Sequence, residues 1–285
     1  MLVGPLSKSG VAELTTLPER RIPILALNRV ADTLPATGSA LVQLSLSPED
    51  EAITLARAAF GRGARNALIM RPQGEWGDKV ESTLRQNWSK LGGTVVSGIS
   101  YAEPDAYSDS VKAALGLRES EQRAREVRDM LATNIEFTPR RRKDIDAIFL
   151  LSRRSTEARA IKPLLAFHYA GNIPVYSLSN INSGLTAQAG SDLKGTRLVE
   201  MPWLLGVNPE LRKAIASGDT GSDQLARLNA LGADAFLVQS QFARLQSGPD
   251  ALFRGNTGLL TLDPQLHIRR ELMLARIDGG GARPE

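Results

Sequence analysis

Residues 140–180 contain the pattern that most constrains the fold, two short apolar runs separated by one segment of helix length. The first run, residues 147–151, is continuous and contains Ile and Phe, which predicts a strand buried on both faces. Ser155 or Thr156 can cap a helix after it, and a Gly-Asn pair can end that helix. Residues 173–178 predict a second strand. The segment therefore predicts a βαβ unit with parallel strands and a right-handed crossover.

Strands and helices alternate along most of the remaining chain. Ser47 and Pro48, followed by two acids, predict the start of a helix. Residues 258–276 alternate apolar and polar side chains around a central Asp-Pro pair, which predicts an antiparallel hairpin. Other apolar runs that predict strands lie at residues 22–27, 41–46 and 67–70. This order of elements predicts an open α/β sheet, or two such sheets.

Composition and charge exclude several classes of function. The formal net charge is +4 with the two signs interleaved, so nucleic acid is not an implied partner. No apolar run approaches the roughly 20 residues that cross a bilayer. Cysteine is absent, which excludes disulfides, thiolate nucleophiles and the usual structural zinc sites. His168 and His267 lack a second ligand at metal spacing, so we expect ordinary histidines, no metal site and no cofactor.

A combination of motifs resembles one known family. The order and spacing of these motifs resemble the C-terminal domain of LpoA/LppC-type penicillin-binding-protein activator lipoproteins, which has the type I periplasmic-binding-protein fold. The resemblance covers nearly the whole chain. The motifs are VGPLSKSGVAEL, PILALN, LSLSPEDEA, NALIMRPQGEWGDKVESTLRQNWSKLGGTVV, RRRKDIDAIFLL, IKPLLAFHYAGNIPVYSLSNI, MPWLL, LNALGADAF and GNTGLLTLD.

The resemblance implies a two-lobed, doubly wound α/β fold with parallel sheets. Lobe I would hold residues 1–62 and 206–244, and lobe II residues 63–205 and 245–280, followed by a disordered tail at 281–285. It also implies a non-enzymatic activator of a class A penicillin-binding protein, a peptidoglycan synthase. Such activators lie in the periplasm and bind the outer membrane only through an N-terminal lipid anchor, whose signal and cysteine this sequence lacks.

The front of the sequence departs from the family pattern. Members carry a helical-repeat domain and a first strand–helix–strand of lobe I before the GPL strand, and neither is present here. We therefore expect a shortened form of a longer protein. Residues 1–6 would then lie at an open sheet edge, with unpaired backbone groups and an uncovered apolar face.

The resemblance also indicates candidate ligand positions. In ligand-binding relatives, residues that follow certain strands line the cleft between the lobes. These strands are the GP strand, the next strand, the first strand of lobe II and a later strand of lobe II. An unknown small ligand could bind in this cleft. Capping by the serines, a turn at the asparagine and packing of the tryptophan are the structural alternatives, which we favour. The matching residues are Ser7, Ser9, Asn28, Trp76, Ser179 and Asn180.

Three classes of function remain open. A protein activator rests on the family motifs, and its candidate partner contacts are Arg140, Arg141, Arg142 and Lys143, although a solvated loop is the commoner role of such a run. A small-molecule receptor of the periplasm rests on the fold alone. A hydrolase or transferase ranks last, because the sequence has no nucleophile elbow, zinc-protease, P-loop or dinucleotide motif.

Overall fold

The computed structural model describes residues 1–17, 22–30, 41–133, 136–185, 187–215, 223–247 and 251–285. The strands in these ranges are β1 (Leu2–Val3), β2 (Ile24–Ala26), β3 (Leu41–Leu44), β4 (Asn66–Pro72), β5 (Thr94–Tyr101), β6 (Ala147–Leu150), β7 (Val175–Ser177), β8 (Arg197–Glu200), β9 (Leu252–Arg254), β10 (Leu259–Leu262), β11 (His267–Glu271), β12 (Met273–Ile277) and β13 (Ala282–Pro284). The α-helices are α1 (Lys8–Thr15), α2 (Pro48–Gly61), α3 (Glu75–Lys90), α4 (Tyr107–Ala114), α5 (Leu117–Leu131), α6 (Ser155–Leu165), α7 (Ala187–Asp192), α8 (Pro209–Ile215) and α9 (Asp223–Leu245).

The predicted βαβ unit is present as β6, α6 and β7. The two strands are parallel, with Phe149 opposite Tyr176, and all four residues of β6 are buried. The prediction that Ser155 or Thr156 caps α6 is wrong, because the helix begins at Ser155 and its N-cap is Arg154, whose side chain makes no capping bond. The helix continues into a π-helical turn at Ala166–Ala170. The apolar run therefore forms a central strand that is covered on both faces.

The chain divides into two compact units. The first unit consists of Met1–Glu51 and Glu200–Met273, and the second of Ala52–Val199 and Leu274–Glu285. Along the sequence, the chain therefore passes from one unit to the other three times. The divisions lie after residues 51, 199 and 273, whereas the sequence interpretation placed them after residues 62, 205 and 244.

The sheet of the first unit has the strand order β1-β2-β3-β11-β10-β9. Strands β1, β2, β3 and β11 run parallel, and β9 and β10 complete the sheet by antiparallel pairing. The prediction that the whole late hairpin belongs to the second lobe is therefore wrong. The reason is a long-range strand pairing, in which His267 and Ile268 of β11 lie opposite Gln43 and Leu44 of β3. Of the described strands within residues 245–280, only β12 belongs to the other sheet.

Helix α9 supplies much of the first unit's core. Leu231 and Val238 of this helix are buried against strand residues such as Val42 and Leu260. Strand β1 lies at one end of the same sheet, and its apolar side chains Leu2 and Val3 are 57% and 50% exposed. The expected open edge with an uncovered apolar face is thus present.

The second unit is built on the sheet β13-β12-β8-β7-β6-β4-β5. Its centre is aromatic. The ring of Phe149 lies 5.2 Å from the ring of Trp88 and 5.8 Å from that of Tyr176, measured between centroids. Trp88 belongs to α3, so its edge contact with Phe149 holds a covering helix against β6, and the tilted contact of Phe149 with Tyr176 joins β6 to β7.

The C-terminal residues are ordered, so the prediction of a disordered tail at 281–285 is wrong. Ala282–Pro284 form β13, which pairs antiparallel with β12. The carboxylate of Glu285 lies 3.0 Å from Arg197 and 3.6 Å from Arg62. Backbone pairing and these charges stabilise a glycine-rich segment that looks unstructured by composition alone.

Asp263 organises the turn between β10 and β11. Its Oδ1 atom accepts hydrogen bonds from the backbone N–H groups of Gln265 (3.0 Å) and His267 (2.8 Å), and its Oδ2 atom accepts one from Arg269 Nε (2.7 Å). Burial alone would raise the pKa of this carboxyl. The hydrogen bonds from His267 and Arg269 outweigh burial and hold the pKa well below its usual range.

A matched pair of glycine substitutions tests the packing of α3 against β4. A Cβ on Gly77 would lie 2.1 Å from the backbone oxygen of Pro72, whereas a Cβ on Gly232 of α9 would meet no atom within 4 Å. Urea denaturation should show that Gly77→Ala lowers the free energy of unfolding by about 1–3 kcal/mol. Gly232→Ala should raise it by up to about 1 kcal/mol, because alanine favours the helix. Equal effects of the two substitutions would contradict the close approach.

The charge of the Asp263 carboxylate makes the stability of the folded protein depend on pH. Asp263→Asn keeps the shape of the side chain but removes the charge, and should cost about 1.5–3 kcal/mol near pH 7. Because the folded-state pKa lies below the unfolded value of about 3.9, this stability is present above that pH and is lost as the pH falls towards the folded pKa. Denaturation near pH 7 and at about pH 3 should show that the difference in unfolding free energy between the wild type and Asp263→Asn becomes smaller at the lower pH. The exposed Asp105→Asn is the control, and a pH-independent difference for Asp263→Asn would refute the assignment.

Candidate functional site

The carboxyl ends of β4, β5, β6 and β7 form one edge of the second unit's sheet, because these strands are parallel. Ligands of open α/β sheets usually bind at this edge. Three of the six candidate ligand residues follow strands that end here, Trp76 after β4 and Ser179 and Asn180 after β7. The edge is therefore the candidate site of the second unit.

Tyr101 is the most constrained polar group at this edge. Its hydroxyl donates a hydrogen bond to the backbone oxygen of Leu151 (2.7 Å) and lies 3.3 Å from Ser152 Oγ and 3.2 Å from Glu157 Oε2. Burial raises the pKa of the phenol, and the charge of Glu157 raises it further. Tyr101 therefore remains a neutral hydrogen-bonding group. The sequence pattern did not single it out, because a tyrosine at the end of a strand carries no motif.

Trp76 lies in the first turn of α3 and is partly buried. The guanidinium carbon of Arg153 lies 5.4 Å from the centre of its ring, within the range of a cation–π contact. Arg153 also donates its backbone N–H to Glu157 (3.0 Å), the carboxylate that contacts Tyr101. The loop after β6 thus connects the predicted Trp76 with the tyrosine that the sequence interpretation missed.

Ser179 and Asn180 open a 3-10 turn, Ser179–Asn182, directly after β7. Ser179 is only 1% exposed, whereas Asn180 is partly exposed. The backbone oxygen of Asn180 accepts a hydrogen bond from Ser183 N–H (3.3 Å), which closes the turn. Of the two, only Asn180 presents a side chain that a solute could reach.

Ser7, Ser9 and Asn28 lie together in the first unit, around the start of α1. Ser7 is the N-cap of that helix, and its Oγ atom accepts a hydrogen bond from Gly10 N–H (3.2 Å). Asn28 Nδ2 donates to the backbone oxygen of Leu6 (2.9 Å), which ties the loop after β2 to the segment before α1. Ser9 is exposed. Ser7 and Asn28 thus have the structural contacts that the alternative interpretation expects.

The four basic residues 140–143 divide into two kinds. Arg141 donates to the backbone oxygen of Tyr169 (2.7 Å) and to Asn172 Oδ1 (3.2 Å), and Arg142 forms a pair of hydrogen bonds with Asp144 (2.8 and 2.7 Å). These two arginines join segments of the second unit. Arg140 and Lys143 are exposed. The run is therefore partly a structural clamp and partly a cationic surface.

Two buried ion pairs escaped the sequence interpretation. Arg270 is 2% exposed, with Nε 3.7 Å from Asp50 Oδ2 and Nη2 donating to the backbone oxygen of Ser47 (3.2 Å). Burial lowers the pKa of Arg270, while the nearby Asp50 opposes that shift. Glu200 is fully buried and accepts two hydrogen bonds of 3.0 Å from Arg227. Both pairs bring distant segments of the first unit together, and a break in either would leave an uncompensated buried charge.

The histidines occupy ordinary structural positions. His168 is buried in the π-helical turn, with Nε2 3.1 Å from Ser108 Oγ. Burial lowers the pKa of its ring and the charge of Lys112 lowers it further, against the opposing charge of Glu121. His267 is buried in β11. Within the described ranges, no group of three or more His, Asp or Glu side chains could hold a metal ion, and no helix is long and apolar enough to cross a membrane.

Comparison with known proteins gives one family and several similar chains. A family model described as "LppC putative lipoprotein" matches residues 1–280. The penicillin-binding protein activator LpoA of Vibrio antiquarius (strain Ex25) is 31% identical over 283 residues, which is 96% of this chain and 46% of the relative. The chain thus spans about half the length of the curated relatives that it matches.

Solved structures show the same fold. The C-domain of LpoA (YraM) from Haemophilus influenzae, a regulator of PBP1A, matches with a TM-score of 0.78 at 25% identity, over 100% of this chain and 81% of that one. A structure from Chromobacterium violaceum, described as a "putative branched-chain amino acid ABC transporter", matches with a TM-score of 0.71 at 26% identity, over 96% of this chain and 79% of that one. The predicted fold is thereby confirmed.

A pair of serine substitutions separates capping from ligand binding in the first unit. Ser7→Ala removes the side chain that accepts from Gly10 N–H and should lower the free energy of unfolding by about 1 kcal/mol. Ser9→Ala, two residues further along the same helix, should change it by less than about 0.5 kcal/mol. Chemical denaturation of the two variants measures both values. Unchanged stability in Ser7→Ala would remove the capping role and return Ser7 to the ligand candidates.

Proposed function

The chain belongs to the LppC lipoprotein family, and on that basis we propose that it regulates a penicillin-binding protein by direct contact. The observation that carries the proposal is the match of the family model to residues 1–280, joined to the fit of the whole chain to the C-domain of a PBP1A regulator. The partner is a class A penicillin-binding protein, the type that polymerises and cross-links peptidoglycan. The full-length protein acts in the periplasm and is held at the outer membrane by an N-terminal lipid anchor that lies outside these 285 residues.

The mechanism is a shift in the conformational equilibrium of the synthase. A bound protein can shift such an equilibrium only by its difference in affinity for the two states. The regulator must therefore bind the active conformation of the synthase more tightly than the inactive one. A tenfold gain in the active population requires a difference of about 1.4 kcal/mol between the two binding free energies.

A non-enzymatic role is in keeping with the polar groups at the carboxyl edge of the second unit. The hydroxyl of Tyr101 is bonded to the loop after β6, and the carboxylate of Glu157 accepts from Arg153 N–H. These groups stabilise each other and the loop.

A small-molecule receptor is the second candidate function. It is favoured by the 0.71 TM-score of the Chromobacterium violaceum structure, whose description names branched-chain amino acid transport. Asn180 and Trp76 would then be the first ligand contacts to consider in the second unit. Addition of leucine, isoleucine or valine at a hundred times the dissociation constant would stabilise a receptor by about 2.7 kcal/mol. Thermal denaturation with and without these amino acids therefore distinguishes the two functions, and we expect no shift.

A glycan-polymerisation assay tests the activator function. The purified 285-residue chain should bind the class A penicillin-binding protein of the same bacterium in a pull-down and should raise its polymerisation rate to a plateau. The plateau is expected because a regulator acts by saturable binding. A solute-binding protein of the same fold, added at equal concentration, is the control and should have no effect.

Absence of both binding and stimulation would overturn the proposed function. Stimulation without a plateau would indicate a non-specific effect on the assay and would count against it as well.

A further inference from the structure

The exposed apolar side chains of the second unit are concentrated in two segments. Across the described part of this unit, the large hydrophobic residues that are more than a third exposed all lie in the last turns of α5 or in the π-helical turn after α6. Their exposed fractions are high, with Met130 at 83% and Phe167 at 74%. The full set is Val127, Met130, Leu131, Phe167 and Tyr169. Exposed apolar groups that cluster within one helix end or one turn are typical of an interaction site.

Helix α5 carries an apolar stripe that is covered only in its first half. Leu117 and Ala124 are buried, and Val127 and Leu131 continue the same helical face at spacings of three and seven residues from Ala124. Every residue from 125 to 133 is exposed. The apolar stripe therefore continues past the part of α5 that the rest of the unit covers.

The π-helical turn presents two aromatic side chains next to a strained backbone. Tyr169 has a φ of 65°, in the left-handed region that a bulky residue seldom adopts. Arg141 stabilises this conformation by donating from Nε to the backbone oxygen of Tyr169 (2.7 Å). The side chains of Phe167 and Tyr169 remain exposed while the buried His168 between them anchors the turn.

The basic segment 140–143 bonds to both α5 and the π-helical turn. The backbone N–H of Arg140 donates to Ser120 Oγ on α5 (3.2 Å), and Arg141 bonds to the π-helical turn. Residues 117–133 and 136–143 together carry eight Lys or Arg against five Asp or Glu. The exposed side chains of Arg140 and Lys143 thus place positive charge on a segment that bonds to both α5 and the π-helical turn.

We propose that residues 125–133, 140–143 and 167–169, here called the docking face, bind the penicillin-binding protein of the proposed function. The inference rests on that function and adds the surface and its chemistry. Aromatic residues, Met and Arg are the types enriched at the core of protein interfaces. The excess of basic residues selects an acidic patch on the partner, with an apolar pocket that receives Phe167 and Met130.

Single substitutions of exposed residues test the docking face. Phe167→Gln and Met130→Gln should each weaken binding of the 285-residue chain to the synthase at least tenfold, because central anchors carry most of the binding energy. Phe236→Gln is the matched control, since Phe236 is 72% exposed on α9 of the first unit, and it should leave the affinity unchanged. All three side chains are exposed, so the variants should keep the wild-type circular dichroism spectrum and melting temperature.

Charge reversal tests the acidic nature of the partner surface. Arg140→Glu combined with Lys143→Glu should weaken binding at low salt by more than tenfold and reduce the dependence of the affinity on salt. Lys213→Glu, an exposed lysine on α8, is the control.

Wild-type affinity in Phe167→Gln and Met130→Gln, or an equal loss in Phe236→Gln, would overturn the docking face while the proposed function stands. Failure of the wild-type chain to bind the synthase at all would instead overturn the proposed function, and this inference with it.

Discussion

Parallel pairing of continuously apolar strands is the constraint on which the second unit depends. Two parallel neighbours cannot be joined by a tight turn, so each strand is followed by a crossover that returns the chain to the same edge. The crossover helices then cover the sheet, as α3 does through the contact of Trp88 with Phe149. The same geometry gathers the loops after β4, β5, β6 and β7 at one edge. Trp76, Tyr101 and Asn180 are therefore close to the same edge although they are far apart in sequence.

Local patterns were sufficient to predict much of the fold. The βαβ unit, the start of α2 at Pro48 and the β10–β11 hairpin are all encoded by periodicity, capping residues or turn residues within short windows. The position of β11 beside β3 was not predictable in the same way. Alternation indicates an antiparallel partner next in sequence but contains no information about the second neighbour. The ordered tail was missed for the same reason, since Glu285 is held by Arg197 and Arg62.

The candidate sites show a similar division. Capping by Ser7 and the turn contact of Asn28 follow from residue types that favour such roles. Tyr101, Arg270 and Glu200 could not be found from the sequence, because their importance comes from burial among partners that tertiary structure supplies. Helix α5 has one apolar stripe in sequence, and only the packed structure distinguishes its covered half from its uncovered half. The resemblance to a family suggested the class of partner, whereas the proposed docking face was suggested only by the structure.

The order of the strands in the first unit has a consequence for synthesis of the protein on the ribosome. Strand β3 leaves the ribosome more than 200 residues before its neighbour β11. At roughly 5–20 residues per second, translation leaves the β3 edge without this neighbour for about 10–40 s. During that interval the outer edge of β3 exposes unpaired backbone groups, a situation that favours association between nascent chains. The edge of β3 is closed only when β11 has been made and pairs with it.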